Sequence, residues 1–175
     1  VPGKGFATDD RTPAGLTSMT TEFMRLALSQ AALALRRGCY PYPGVGVILV
    51  YEDKPIVRVH NGIPGHDHAE VLAIEDARIK DLELAKCVLF TNLEPCSNRT
   101  GLVHACTQEI IQVGIKEVHV AMRDPYQLVR GQGLAELRRA GIQVVFGEME
   151  EEARWLNKRY LERFCPSCGY PIIEV

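Results

Sequence analysis

Two kinds of apolar periodicity alternate along this chain, and that alternation most constrains what it can fold into. Phe23, Leu26, Ala27, Ala31 and Ala34 recur at helical spacing, opened by Thr20, Thr21 and Glu22 and closed by Arg36, Arg37 and Gly38, which predicts a first amphipathic helix. The β-branched run VGVILVY at 45–51 predicts a strand. Asp53 and Lys54 then turn the chain into a second short run at 56–59, which reads as a hairpin. Val71, Leu72, Ile74 and Ala77 predict a helix over 69–79, followed by a short buried strand at 87–91. A helix over 104–113 stopping at Gly114, a strand over 115–122, a helix over 134–139 ending at Gly141 and a strand over 142–146 complete the pattern. The last element reads as one long charged helix over 148–164. Strands that alternate with helices predict an α/β layered sheet, its first two strands antiparallel and its later ones parallel.

The 175 residues, 46% of them hydrophobic, suit one compact domain. A chain of that length buries about 70% of its unfolded surface and needs no disulfide staples. Twenty Lys plus Arg against 22 Asp plus Glu leave a net charge of -2, which gives no general electrostatic grip on a phosphate backbone. The adjacent pairs Arg36 with Arg37, Arg138 with Arg139 and Lys158 with Arg159 all fall on predicted helices, where solvated charge is the ordinary meaning. Nothing approaches the ~20 apolar residues of a membrane span, and 1–18 lacks the apolar core of a signal peptide. The expectation is a cytoplasmic protein without membrane or nucleic-acid partners, with an N-terminal extension at 1–18, a domain at 19–164 and a C-terminal tail at 165–175.

Six cysteines stand at 39, 87, 96, 106, 165 and 168. The sharpest constellation is His68-Ala69-Glu70, then Pro95-Cys96, then Cys106. One imidazole and two thiolates suit tetrahedral Zn²⁺ and leave a fourth position for water, which is the catalytic rather than the structural pattern. Glu70, two residues from the histidine, is placed to move protons beside that water. A fourth ligand, Cys87 or His104, would instead close a structural site. Cys165-Pro166-Ser167-Cys168 is half of a zinc knuckle. Cys165 and Cys168 are thus candidates for a second metal with Cys39 or Cys87 as uncertain partners, against the plainer reading of two free thiols in a tail. Gly131-x-Gly133 is too little to mean nucleotide binding, and Asn98-Arg99-Thr100 matches a glycosylation acceptor by chance.

His-x-Glu followed by Pro-Cys is the mark of zinc deaminases, although here nine residues separate the two cysteines. The chain resembles the cytidine-deaminase superfamily, and within it the deaminase domain of riboflavin-biosynthesis deaminase-reductases, from residue 24 to about 163. MRLALSQAALALRRG is similar to that family's first helix, HAEVLAI to its zinc helix, TNLEPCS to its cysteine motif and GIKEVHVAMRDP to the strand that follows. LVRGQGLAELRRAGIQVVFG and EEEARWLNKRYLERF are similar further on. The resemblance implies a three-layer α/β/α fold with a mixed sheet, Zn²⁺ on His68, Cys96 and Cys106, Glu70 as general acid and base, and hydrolytic loss of ammonia from a pyrimidine ring. It also implies a homo-oligomer, dimer or tetramer.

Three departures bear on substrate. Tyr42-Pro43-Gly44-Val45-Gly46 stands where the family has Asn-Pro-x-Val-Gly, and Tyr126 follows Asp-Pro where it has Asn. The loop after Cys96 runs Ser97-Asn98-Arg99-Thr100-Gly101 where the family has Ser-His and then Gly-Arg-Thr-Pro-Pro. An asparagine that donates and accepts toward a flat ring differs from a tyrosine that offers one hydroxyl and a stacking face. Tyr42, Asn98, Arg99 and Tyr126 are therefore the candidate substrate contacts. With no reductase half in view, the expectation is a stand-alone deaminase for a small amino-heterocycle other than the riboflavin intermediate. The rival readings are a nucleic-acid base deaminase, which needs a basic channel and stacking aromatics, and a non-catalytic zinc-stabilised interaction module.

Overall fold

A computed structural model describes residues 18–62, 68–97, 105–125 and 130–164. The chain opens with helix α1 (Ser18–Arg36), followed by strands β1 (Gly46–Tyr51) and β2 (Lys54–His60). Helix α2 (Ala69–Ile79) leads through a short 3₁₀ turn, Leu84–Lys86, into β3 (Val88–Leu93). Then come α3 (Cys106–Gln112), β4 (Glu117–Met122), α4 (Gln132–Arg139), β5 (Gln143–Phe146), α5 (Glu150–Leu156) and α6 (Lys158–Phe164).

The sheet order is β2-β1-β3-β4-β5. β1 pairs antiparallel with both β2 and β3, while β3–β4 and β4–β5 are parallel. The mixed sheet with an antiparallel first hairpin is as expected. α1 and α5 pack on one face, and α2 and α4 on the other, α3 lying between those two. Because helices cover both faces, β1, β3 and β4 are buried almost throughout, as in any sheet sandwiched between helical layers. The edge strand β2 instead leaves Lys54, Ile56 and Arg58 exposed. Ala27 and Ala31 of α1 allow the helix to sit close on the start of β1, where a Cβ at Gly46 would come within 2.0 Å of the Ala27 carbonyl oxygen. Among the described residues, no helix is long and apolar enough to cross a membrane.

Two expectations shift. The hairpin turn consists of Glu52 and Asp53, both at positive φ, one residue earlier than expected, and Lys54 is already paired with Tyr51. Two left-handed residues match the twist of the flanking strands better than a turn of ordinary hand. The expected long helix over 148–164 is two. Met149 adopts a left-handed conformation and Glu148 is drawn inward to accept from the Thr20 and Thr21 hydroxyls, so helix begins only at Glu150. It breaks at Asn157, 1% exposed, whose side chain accepts from the Gly44 N–H (2.8 Å) and donates to the Gly44 carbonyl (3.0 Å).

Candidate active site

The site forms where three segments meet at the carboxyl end of the central strand. His68 caps α2 with extended backbone, and its carbonyl accepts the first helical bond from Leu72. Cys106 is the first residue of α3, and Cys96 lies three residues beyond β3. The Thr107 N–H donates to the Cys96 carbonyl, locking the two cysteine segments together.

His68 Nδ1 lies 3.1 Å from Cys106 Sγ and 3.5 Å from Cys96 Sγ, and the two sulfurs are 3.3 Å apart. Three donors so spaced can all lie roughly 2.0–2.3 Å from one ion, the range of Zn–N and Zn–S bonds. The sulfurs are too far apart for a disulfide, whose bond is about 2.05 Å, and both thiols are free. Among the described residues this trio is the one cluster of such ligands close enough to share an ion. Cys87 lies outside it, with its sulfur 3.7 Å from the Glu83 carbonyl and its thiol pKa raised by burial. A closed site through Cys87 is therefore not what the fold builds.

Cys106 Sγ bonds Cys96 and pushes the Cys96 thiol down to about 4, against its burial, with His68 and the Cys106 backbone N–H acting the same way. The site thus favours the thiolate, the form that ligates metal. Glu70, in the first turn of α2, is 3% exposed and its Oε2 lies 3.6 Å from Cys106 Sγ. Burial raises its carboxyl pKa, opposed by the charge of His68. Its carboxyl thus holds a proton more readily than an exposed one.

Of the expected substrate contacts, Tyr42 lies in the loop before β1 with 53% of its surface exposed. Asn98, Arg99 and Tyr126 lie outside the described residues, as do His104, Cys165 and Cys168. Cys39 is buried, its sulfur against the Tyr42 and Pro43 carbonyls and its thiol pKa raised by that burial.

The sequence reading missed the asparagines and the glutamate that hold these loops. Asn92, near the end of β3, accepts from the Gly46 N–H (2.8 Å) and donates to the Gly44 carbonyl (3.0 Å). Asn61 likewise accepts from Val45 N–H and donates to the Pro43 carbonyl. Glu94, 4% exposed, accepts four backbone N–H bonds: Gly133 (2.8 Å) and Leu134 (3.3 Å) on Oε1, Gly131 (2.9 Å) and Asp124 (3.1 Å) on Oε2. Thr107 adds a bond of 2.8 Å to Glu136 of α4. Glu94 was visible only as a letter of the LEPC motif.

Residues 17–122 match the family described as the cytidine and deoxycytidylate deaminase zinc-binding region. The chain belongs to this family. Its Zn²⁺ and its hydrolytic deaminase chemistry follow from that membership together with the His/Cys/Cys cluster. The riboflavin biosynthesis protein RibD of Aquifex aeolicus is 43% identical over 141 residues, covering 79% of this chain and 37% of that protein. The diaminohydroxyphosphoribosylamino-pyrimidine deaminase of Buchnera aphidicola is 36% identical over 124 residues, covering 70% of this chain and 81% of that protein. A diaminohydroxyphosphoribosylaminopyrimidine deaminase/reductase of Thermotoga maritima superposes with a TM-score of 0.80 at 35% identity, over 85% of this chain and 42% of that one. The chain thus spans little more than a third of the RibD protein it matches, and the similarity falls on the deaminase domain.

Proposed function

We propose that His68, Cys96 and Cys106 hold the zinc, that Glu70 moves the proton, and that the chain removes the exocyclic amine of an aminopyrimidine-type ring. The observation that carries this reading is the triangle of imidazole and two sulfurs with a buried carboxylate 3.6 Å from one of its corners. When bound, zinc supplies a Lewis acid that makes water a competent nucleophile near neutral pH. Water adds to the amino-bearing ring carbon, the C–N bond breaks, and ammonia leaves a carbonyl behind. Glu70 takes one proton from the water and passes it to the departing nitrogen, and the second water proton ends on the adjacent ring nitrogen as the carbonyl forms; burial of Glu70 keeps bulk solvent from it. The catalytic unit is assigned to 19–164, with 1–18 as an extension and 165–175 as a tail.

Similarity to the Buchnera and Thermotoga proteins supports a pyrimidine ring. Tyr42 and Tyr126, standing where the resemblance leads one to expect asparagine, support a preference displaced from the ribosylamino-pyrimidine phosphate those names describe. Ammonia release from a panel of aminopyrimidine and aminopurine bases, nucleosides and phosphates tests the proposal. Release from at least one member, lost on chelation and restored by Zn²⁺, is expected. Zinc-replete protein that releases ammonia from none of them would overturn it.

A further inference from the structure

Helix α4 is fastened to both cysteine segments of the metal cluster. Thr107 follows Cys106 in α3 and is buried. Its N–H donates to the Cys96 carbonyl at 3.2 Å, and its hydroxyl donates to Glu136 Oε2 on α4 at 2.8 Å. The Cys96 side is tied to the same helix. Two residues before Cys96, Glu94 Oε1 accepts the N–H groups of Gly133 (2.8 Å) and Leu134 (3.3 Å) in the first turn of α4. Gly133 sits so tightly there that a Cβ would lie 2.0 Å from the carbonyl oxygen of Pro95, the residue next to the ligand.

These contacts close a ring. It runs from Cys96 back to Glu94, across to Gly133 and Leu134, along α4 to Glu136, and across to Thr107 and Cys106. The bond from the Thr107 N–H to the Cys96 carbonyl is the direct link across it. A single hydrogen bond leaves α3 free to pivot about that bond, whereas a second attachment through a helix removes the freedom. Three metal donors at a preset separation bind more tightly than donors that must be ordered as the ion arrives, because folding has already met the ordering cost.

We propose that Glu136 is a positioning residue for the metal: through Thr107 it holds Cys106 at its separation from Cys96, so that the zinc affinity of the chain depends on a carboxylate of α4. This rests on the zinc reading above. The partners that orient metal ligands commonly carry 10–100-fold of the affinity, roughly the size expected for one arm of this brace.

The test is the partition of zinc, at fixed pH, between the zinc-loaded protein and a chelator of known affinity. Glu136→Ala removes the acceptor, and Thr107→Val removes the hydroxyl while keeping the backbone N–H and the shape. Each is expected to raise the Kd for zinc at least ~10-fold. Both remove the same bond, so the double variant should lie within about twofold of the weaker single one. Glu136→Gln, whose amide oxygen still accepts the hydroxyl, should stay within about threefold of wild type. A merely structural role would lower the melting temperature without producing this pattern of partition. Unchanged affinity in Glu136→Ala, losses that multiply in the double variant, or Glu136→Gln as weak as Glu136→Ala would each overturn the proposal. If Glu136→Ala does not fold, Thr107→Val and Glu136→Gln are read against the same criteria. Turnover is not needed for any of these readings. A wild type that takes up no zinc would strike the metal site itself, whereas unchanged variants of a zinc-binding wild type would strike only the role of Glu136.

Discussion

Glu70 and Cys96 lie in one cluster, yet their surroundings drive them in opposite directions. Cys96 is surrounded by donors, the Cys106 thiol, the Cys106 N–H and the His68 ring, so negative charge is favoured there. Glu70 is buried beside the same groups, and the desolvation of its carboxyl favours the proton there. A thiol driven toward its anion suits a cation and a carboxyl driven toward its protonated form suits proton exchange, so the environment reinforces what each group's chemistry favours. Glu70→Gln retains the shape and removes the exchangeable proton. It is expected to keep zinc at the wild-type level and melt within a few degrees of wild type, with kcat at least ~10² lower, as measured by ammonia release and metal analysis. Wild-type turnover in that variant would exclude Glu70 as the proton carrier.

At the scale of elements, the end of β3 is the hub. Asn92 faces the loop that enters β1, Glu94 the segment that leaves β4, and Cys96 the His68 ring and the Cys106 thiol, so one strand end sets three neighbours in register. Gly44 is held from a second side by Asn157, at the break between α5 and α6. Asn157→Ala strips the buried Gly44 N–H of its partner, a loss of about 1–3 kcal/mol. Denaturant unfolding should record that loss, with activity per folded molecule falling because the loop carrying Tyr42 loosens; unchanged stability would mean that water replaces the amide. These contacts also mark what sequence can reveal. Helix α2 was legible from Val71, Leu72, Ile74 and Ala77; Ile74 and Ala77 lie in the buried stripe that repeats every turn, while Val71 and Leu72 are half-buried. The cluster of His68, Cys96 and Cys106 was legible because an imidazole and two thiols in the His-x-Glu and Pro-Cys motifs suit a shared metal. Asn157 was not: within charged helical sequence it reads as one more polar residue, and its partner Gly44 lies 113 positions away. Glu94 was illegible for the same reason, since four backbone donors 30 to 40 positions downstream leave no periodic trace.

The whole molecule decides where the substrate question sits. β1 runs antiparallel to β3, with Val47 opposite Thr91, so the chain entering β1 lies at the same sheet edge as the segment leaving β3 toward Cys96. The loop with Tyr42 leads into that edge, the backbone that follows it at 43–46 held by Asn61, Asn92 and Asn157, while Tyr42 itself is 53% exposed. We infer that this hold on 43–46 presents residue 42 toward the ring, so that the change from the expected asparagine alters the chemistry offered there. A phenol offers a stacking face and one hydroxyl, where an amide offers paired donor and acceptor, and a site built around such pairs discriminates by up to ~10⁴ when one is missing. The wild type is thus expected to turn over the diaminohydroxyphosphoribosylaminopyrimidine named for the Buchnera relative less efficiently than another amino-heterocycle. Tyr42→Asn should raise kcat/KM on that phosphate at least ~10-fold and lower it on the preferred ring, the loss of stacking being worth roughly 1 kcal/mol. Steady-state kinetics on both compounds with both proteins is the measurement. A wild-type kcat/KM of about 10⁴ M⁻¹s⁻¹ or more on the phosphate, unimproved by Tyr42→Asn, would return the chain to the substrate of its relatives and leave Tyr42 outside the pocket.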